Sequence, residues 1–293
     1  MGWLPTSAGY LVADACGTVV SWFAWRTRRG AYENQARVLG PDARPDVVRR
    51  GVAAVFRQTA RNYFDLVHLS RLRPRELDAR LRVHGWDNLA RGLAAGRGVI
   101  IATAHLGNPE LAIQGLALRG VPVTVLSEPL EPPSLFRTVT RWRQSLGVEF
   151  VPTGVAGLKQ ALRRLRQGGA VAVACDRDIQ GAGAWLPFLG EPARMPQGAA
   201  TLALKTGALL LPCFCARSSG TVLEVFIEPP LEPAAGGTPE ERTLVTTAAL
   251  LRVVETYVRR YHEQWYVLAP VWPAPAPALS DGAISHGAMA APR

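Results

Sequence analysis

Apolar and polar positions keep one period in the first third of this chain and a different one in the rest. Residues 8–25 are largely apolar, broken by Asp14, and they end in Trp22, Phe23 and Trp25 just before Arg26, Arg28 and Arg29. From Asp46 to Leu69 the apolar residues Val48, Val52, Val55, Phe56, Phe64 and Val67 recur at helical spacing, with Arg49, Arg50, Arg57 and Arg61 between them. This pattern predicts a long amphipathic basic helix. From Leu81 onward, short β-branched runs alternate with helical repeats. Strands are predicted near Val83, Val99, Val121, Val148, Ala170, Ala208 and Thr221, and the last two should form a hairpin around Ser219 and Gly220. Helices are predicted between them, from Pro109 to Arg119, through Leu135 to Leu146, from Val155 to Gln167, and from Pro196 to Thr206. Another runs from Pro239 to about Tyr261.

Strands separated by helices of this size imply an α/β fold, with a mixed, largely parallel sheet covered by helices on both faces. The expected organisation is a helical segment over residues 1–80, an α/β domain over 81–269 and a Pro/Ala-rich, disordered tail over 270–293. The first apolar segment is too short and too interrupted for a membrane span. Its aromatic cluster with basic flanks suits a helix lying in a bilayer interface, and the same pattern also suits a buried helix or, without a basic start, an uncleaved signal-like segment.

Charge sharpens this division. Of the formal +10, residues 1–97 carry 16 Arg against 8 acids, while residues 98–293 are nearly balanced at 17 bases against 15 acids. The positive field therefore belongs to the N-terminal third and points to an anionic surface. A nucleic-acid partner is not expected, because no stacking-aromatic strand pattern accompanies the Arg residues. Cys16, Cys175, Cys213 and Cys215 form no CxxC pair, so no metal site is expected and packing in a reducing compartment is the expected role.

In an α/β sheet, ligands gather beyond the carboxyl ends of the strands. Polar residues stand there after three of the apolar runs: His105 after the first, Ser127 and Glu128 after the second, and Asp176, Arg177 and Asp178 after the third. The run from Val99 to Ala104 should end at His105. Asn108 then suits a helix N-cap, Pro109 the first helical position, and Glu110 the first turn. A tight strand-to-helix turn of this kind can fold the Glu110 carboxylate back towards the imidazole, giving a general base with an orienting acid.

The spacing from His105 to Glu110 resembles the H-x4-D/E motif of the glycerolipid acyltransferase superfamily. The surrounding residues 105–110 are similar to the branch that contains lipid A biosynthesis and phosphatidylinositol mannoside acyltransferases. Other blocks agree in order. Arg141 to Gly147 resembles the family's helix ending in Arg-x3-Gly, Cys175 to Ile179 its DRD block, and Pro187 to Gly190 with Arg194 to Gly198 its later blocks.

The resemblance implies acyl transfer from an acyl-CoA or acyl-ACP thioester to a hydroxyl of a glycolipid, with no cofactor. In that scheme His105 is the base and Glu110 holds its tautomer, while Glu128, Arg143, Asp176, Arg177 and Asp178 form the substrate groove. The backbone N–H groups of Gly107 and Asn108, or Arg143, would meet the oxyanion. It also implies a peripheral or monotopic enzyme on the cytoplasmic face of the cell membrane. Two other readings stay open at this level: a lipid or phosphate ester hydrolase with a metal at Asp176 and Asp178, and a non-catalytic anionic-lipid binder. The apolar run Trp185 to Leu189 either lines an acyl channel or is an ordinary core contact.

Overall fold

The alternation of strand and helix periods from Leu81 onward builds one sheet in the computed structural model, in which residues 5–69, 71–129, 133–144 and 147–272 are described. Three long helices come first: α1 (Thr6–Phe23), α2 (Trp25–Leu39) and α3 (Pro45–Leu69), followed by the short α4 (Pro74–Asp78). Then come β1 (Leu81–His84), α5 (Trp86–Ala94), β2 (Val99–Thr103), α6 (Pro109–Leu118), β3 (Val123–Ser127) and α7 (Pro133–Arg143). After these lie β4 (Glu149–Pro152), α8 (Val155–Arg166) and β5 (Ala170–Ala174). The chain closes with β6 (Ala184–Phe188), β7 (Glu191–Met195), α9 (Gly198–Thr206), β8 (Leu209–Ser219), β9 (Val222–Ile227) and α10 (Pro239–Arg260).

Among the described residues, seven strands form one sheet in the order β1-β9-β8-β2-β5-β3-β4. Every pairing is parallel except β8 with β9, the hairpin expected around Gly220. The fold is thus α/β with a mixed, mostly parallel sheet. Its two faces follow from the two-residue period of a strand. On β2, Ile100 and Ala102 point into a core shared with α8, α9 and α10, while Val99 and Ile101 point into a second core beneath α5 and α6. Both faces of β2 are fully buried, which is why this strand is a continuous apolar run instead of an alternating one.

Two expectations are corrected. Residues 184–195, expected as loop, form the hairpin β6–β7, closed by Leu189 and Gly190, both at positive φ as a two-residue hairpin turn requires. Pro187 and Pro192 face each other in this pair, and prolines in the run hid its strand character. Leu186, Phe188 and Leu189 are buried in the α10-side core, so this segment makes core contacts. The tail expected from Pro270 does not begin there, because Val271 and Trp272 are buried; residues 273–293 lie outside the described residues, as does Leu146, the expected end of the helix through Leu135.

The N-terminal helices grip the α/β unit. Gly17 lets α1 approach α3 closely; a Cβ there would lie 2.7 Å from the Phe56 carbonyl oxygen. Asp14, the polar break in the first apolar run, takes a forked ion pair from Arg61 at 2.6 Å. Deeper, the Asp65 carboxylate of α3 accepts from Tyr10 Oη at 2.8 Å, Arg217 Nη2 at 2.9 Å and Asn108 Nδ2 at 2.9 Å. Arg217 Nη1 also donates to the Tyr10 hydroxyl at 2.7 Å. Asp65 and Arg217 are both almost fully buried, so each charge depends on the other. Arg217→Met is expected to cost about 3–5 kcal/mol, because it strands a buried carboxylate. Arg29→Ala, which breaks an exposed pair with Glu33, should cost less than about 1 kcal/mol. Denaturant midpoints of the two variants check this difference.

Candidate active site

Strand β2 ends at Thr103, two residues before His105, and the turn from His105 to Asn108 is held by hydrogen bonds at nearly every backbone position. The His105 N–H donates to Asp176 Oδ2 at 2.8 Å and its carbonyl accepts from Tyr266 N–H at 2.9 Å. Gly107 sits at φ +60°, and a Cβ there would lie 2.3 Å from the Cys215 carbonyl oxygen, so only glycine fits. Its N–H donates to the Gln264 carbonyl, and its own carbonyl accepts from Gln58 Nε2 at 2.9 Å and Asn62 Nδ2 at 2.7 Å. Asn108 caps α6 as expected, its side chain accepting from Leu111 N–H at 3.2 Å.

His105, Glu128 and the Asp176–Asp178 block do come together, because β2, β5 and β3 are neighbours in the sheet and each ends at the same rim. Their partners differ from those expected. The carboxylate on the imidazole is Asp176, not Glu110: His105 Nδ1 lies 2.8 Å from Asp176 Oδ1. Glu110 instead pairs with Arg143 at 2.6 Å, and Gln114, one turn further along α6, donates to the Arg143 carbonyl. Glu128 pairs with Arg177 at 2.7 Å across the rim. Asp178 faces its own loop, accepting from Gly181 N–H at 3.1 Å and Gly183 N–H at 2.8 Å. Asp176 and Asp178 thus spend their oxygens on different partners. Of the oxyanion donors considered, the Gly107 N–H is already spent on Gln264 and the Asn108 N–H faces the Cys215 thiol, which leaves Arg143.

Asp176 is fully buried. Burial alone would push its carboxyl up, but the His105 charge and ring contact, Trp265 and the His105 N–H hold it below the usual carboxylate range. Burial pushes His105 down, and the Asp176 charge and hydrogen bond more than reverse this, so its pKa lies above the ordinary 6.5. Glu110 moves up through burial, against the pull of Arg143. The His105 side chain is 30% exposed. With Nδ1–H directed at the carboxylate, Nε2 is the ring nitrogen left to accept a proton from elsewhere.

Trp265 is a site residue that no sequence motif marked. Its Nε1–H donates to Asp176 Oδ2 at 2.8 Å, and the Tyr266 ring meets the imidazole edge-on at a centroid distance of 5.6 Å. Both follow α10 in a segment without strand or helix period. The signal available was a cluster of large aromatics where a loop should be polar.

Below the rim, an apolar slit runs between the sheet and α5–α6. Its walls include Thr103, Cys213 and Ile227 on three neighbouring strands, and Pro109, Ile113 and Leu116 on α6. Cys213 and Cys215 share one strand face, as expected, and both belong to this core.

A buried histidine–carboxylate pair at a sheet rim serves many enzymes. The profile described as bacterial lipid A biosynthesis acyltransferase matches residues 1–273 of this chain. The chain belongs to that acyltransferase family. It is also 32% identical over 285 residues to phosphatidylinositol mannoside acyltransferases of Mycobacterium tuberculosis, strains CDC 1551 / Oshkosh and H37Rv, covering 92% of this chain and 86% of each relative. A relative of the same description from Mycolicibacterium smegmatis (strain ATCC 700084 / mc(2)155) is 32% identical over 246 residues, covering 82% of this chain and 77% of the relative. The enzyme is therefore an acyltransferase of lipid biosynthesis, and the expected family is the observed one.

Removing the Asp176 charge while keeping its shape should lower the affinity of His105 for a proton. In Asp176→Asn, the acidic limb of the kcat/KM profile for acyl transfer is expected to move to lower pH. The plateau should fall by about 10²- to 10⁴-fold. Initial rates of acyl transfer across pH 5–9 measure both.

Proposed function

We propose that this acyltransferase moves a fatty acyl group from an acyl-CoA or acyl-ACP thioester to a sugar hydroxyl of a phosphatidylinositol mannoside-like glycolipid, at the cytoplasmic face of the cell membrane. The observation that carries the reading is the His105–Asp176 pair, whose Nε2 is free at a partly open rim above an apolar slit. A sugar hydroxyl is a poor nucleophile at neutral pH. Nε2 takes its proton as the oxygen bonds to the thioester carbonyl carbon. The tetrahedral intermediate then collapses, the C–S bond breaks, and the imidazolium returns the proton to the departing thiolate. Arg143, held by Glu110 beside the base, would offer its guanidinium to the oxyanion. The slit, about 30 Å³ in volume, would have to widen between α6 and the sheet to admit an acyl chain. The acceptor class rests on the description shared by the three relatives.

Membrane contact is part of the same proposal. No helix among the described residues is long and apolar enough to cross a bilayer. The end of α1 and the start of α2 nonetheless leave Trp22, Phe23 and Trp25 exposed, beside exposed Arg26, Arg28 and Arg29. Apolar rings of this size beside cations suit insertion at an anionic interface, each cation adding roughly 1 kcal/mol. The Glu128–Arg177 and Glu110–Arg143 pairs flank the base and would order the acceptor's hydroxyls.

Two measurements test the proposal. His105→Ala should lower transfer of radiolabelled acyl groups to a phosphatidylinositol mannoside acceptor by about 10²-fold or more, measured at a temperature where the variant, destabilised by the donor its buried Asp176 loses, is still folded. Activity within a few-fold of wild type would remove His105 as the base. Replacing Trp22, Phe23 and Trp25 together by Ala should weaken sedimentation with anionic vesicles by about tenfold or more. It should leave the folded state intact, since these side chains pack against solvent.

A further inference from the structure

The segment after α10 is tied to the site more densely than a connection needs to be. The Gln264 side chain accepts from Arg217 N–H at 2.7 Å and donates to the Arg217 carbonyl at 2.9 Å, fixing the segment to the end of β8. Helix α2 holds it from the other side. Asn34 Nδ2 donates to the Val267 and Ala269 carbonyls, both at 2.8 Å, and Asn34 Oδ1 accepts from Val271 N–H at 3.1 Å. Between these anchors the strap runs antiparallel past Leu106, and Trp265, 1% exposed, turns its indole N–H onto Asp176.

We propose that Trp265 is a positioning residue for acyl transfer: held by the Gln264 and Asn34 anchors, its indole N–H fixes the Asp176 carboxylate that orients the His105 ring. This rests on His105 being the base. Three donors meet Asp176: the His105 N–H and Trp265 Nε1–H on Oδ2, and the His105 ring on Oδ1. Two of them belong to His105 itself, so among the described residues Trp265 is the donor that holds the carboxylate from outside the residue it serves. Without it, the carboxylate can rotate about its single bond and carry the imidazole with it.

Loss of the indole also has an electrical effect of definite sign. The N–H dipole stabilises the bare carboxylate next to a neutral ring more than the carboxylate already paired with an imidazolium. Its loss therefore makes the pair hold its proton to higher pH. The other groups facing the pair are Arg177, Glu128, Cys175, Tyr266 and Glu110. None is removed by the substitution.

The experiment compares full-length wild type with Trp265→Phe and Asn34→Ala. The readouts are the NMR titration of the His105 ring protons, which needs no substrate, and the pH profile of acyl transfer. In Trp265→Phe the His105 midpoint is expected to rise by about half a unit to one unit. The kcat should fall about tenfold with KM within about twofold. Asn34→Ala, which keeps the indole but loosens the strap, should shift the midpoint in the same direction by less. An unchanged midpoint in a folded Trp265→Phe protein overturns the proposal, even if transfer and its dependence on His105 are confirmed. Should Trp265→Phe fail to fold, the indole N–H resonance in wild type decides: tracking the His105 midpoint supports the role, and a flat response across that range overturns it.

Discussion

A carboxylate with no exposure to water has to find its donors inside the protein, and Asp176 finds them in three places that the fold alone brings together. One is the backbone where β2 has just ended, one is the ring of His105, and one is an indole from the far side of α10. Ionised and fully bonded, the group is fixed in place, and it fixes the imidazole in turn. The strand ends, the hairpin and the closing helix all have to be in register before that carboxylate is satisfied. Assembly of the site is therefore coupled to completion of the fold.

The same logic extends outward through α3. Its Gln58 and Asn62 spend their amides on one carbonyl, that of Gly107, and its Asp65 reaches the cap residue Asn108 while neutralising Arg217 of β8. Helix α3, against which α1 and α2 pack, thus holds the loop that carries His105.

Much of this was legible in linear order. The α/β class followed from apolar runs alternating with helical repeats, and the rim residues stood out because each follows an apolar run with no other ionisable group. The Asn108 cap, the β8–β9 hairpin and the burial of Cys213 and Cys215 followed from local chemistry. The pairing of charges did not. From spacing, Glu110 was the natural partner of His105, yet Asp176, 71 residues on, holds the ring and Glu110 is taken by Arg143. A gap of five residues says that two groups are near, not which of several nearby charges wins.

What the sequence determined by itself is whatever a residue and its close neighbours settle through backbone preference and period: the elements, the caps, the turn that needs Gly107, and the family to which the motifs belong. The tertiary structure decided which buried donor meets which buried acceptor, because that depends on strand order and on where a closing segment lands. β5 lies directly beside β2 in the sheet, which places Asp176 under His105, and the strap after α10 places Trp265 on Asp176. Neither adjacency has a period, so neither leaves a mark on the linear pattern.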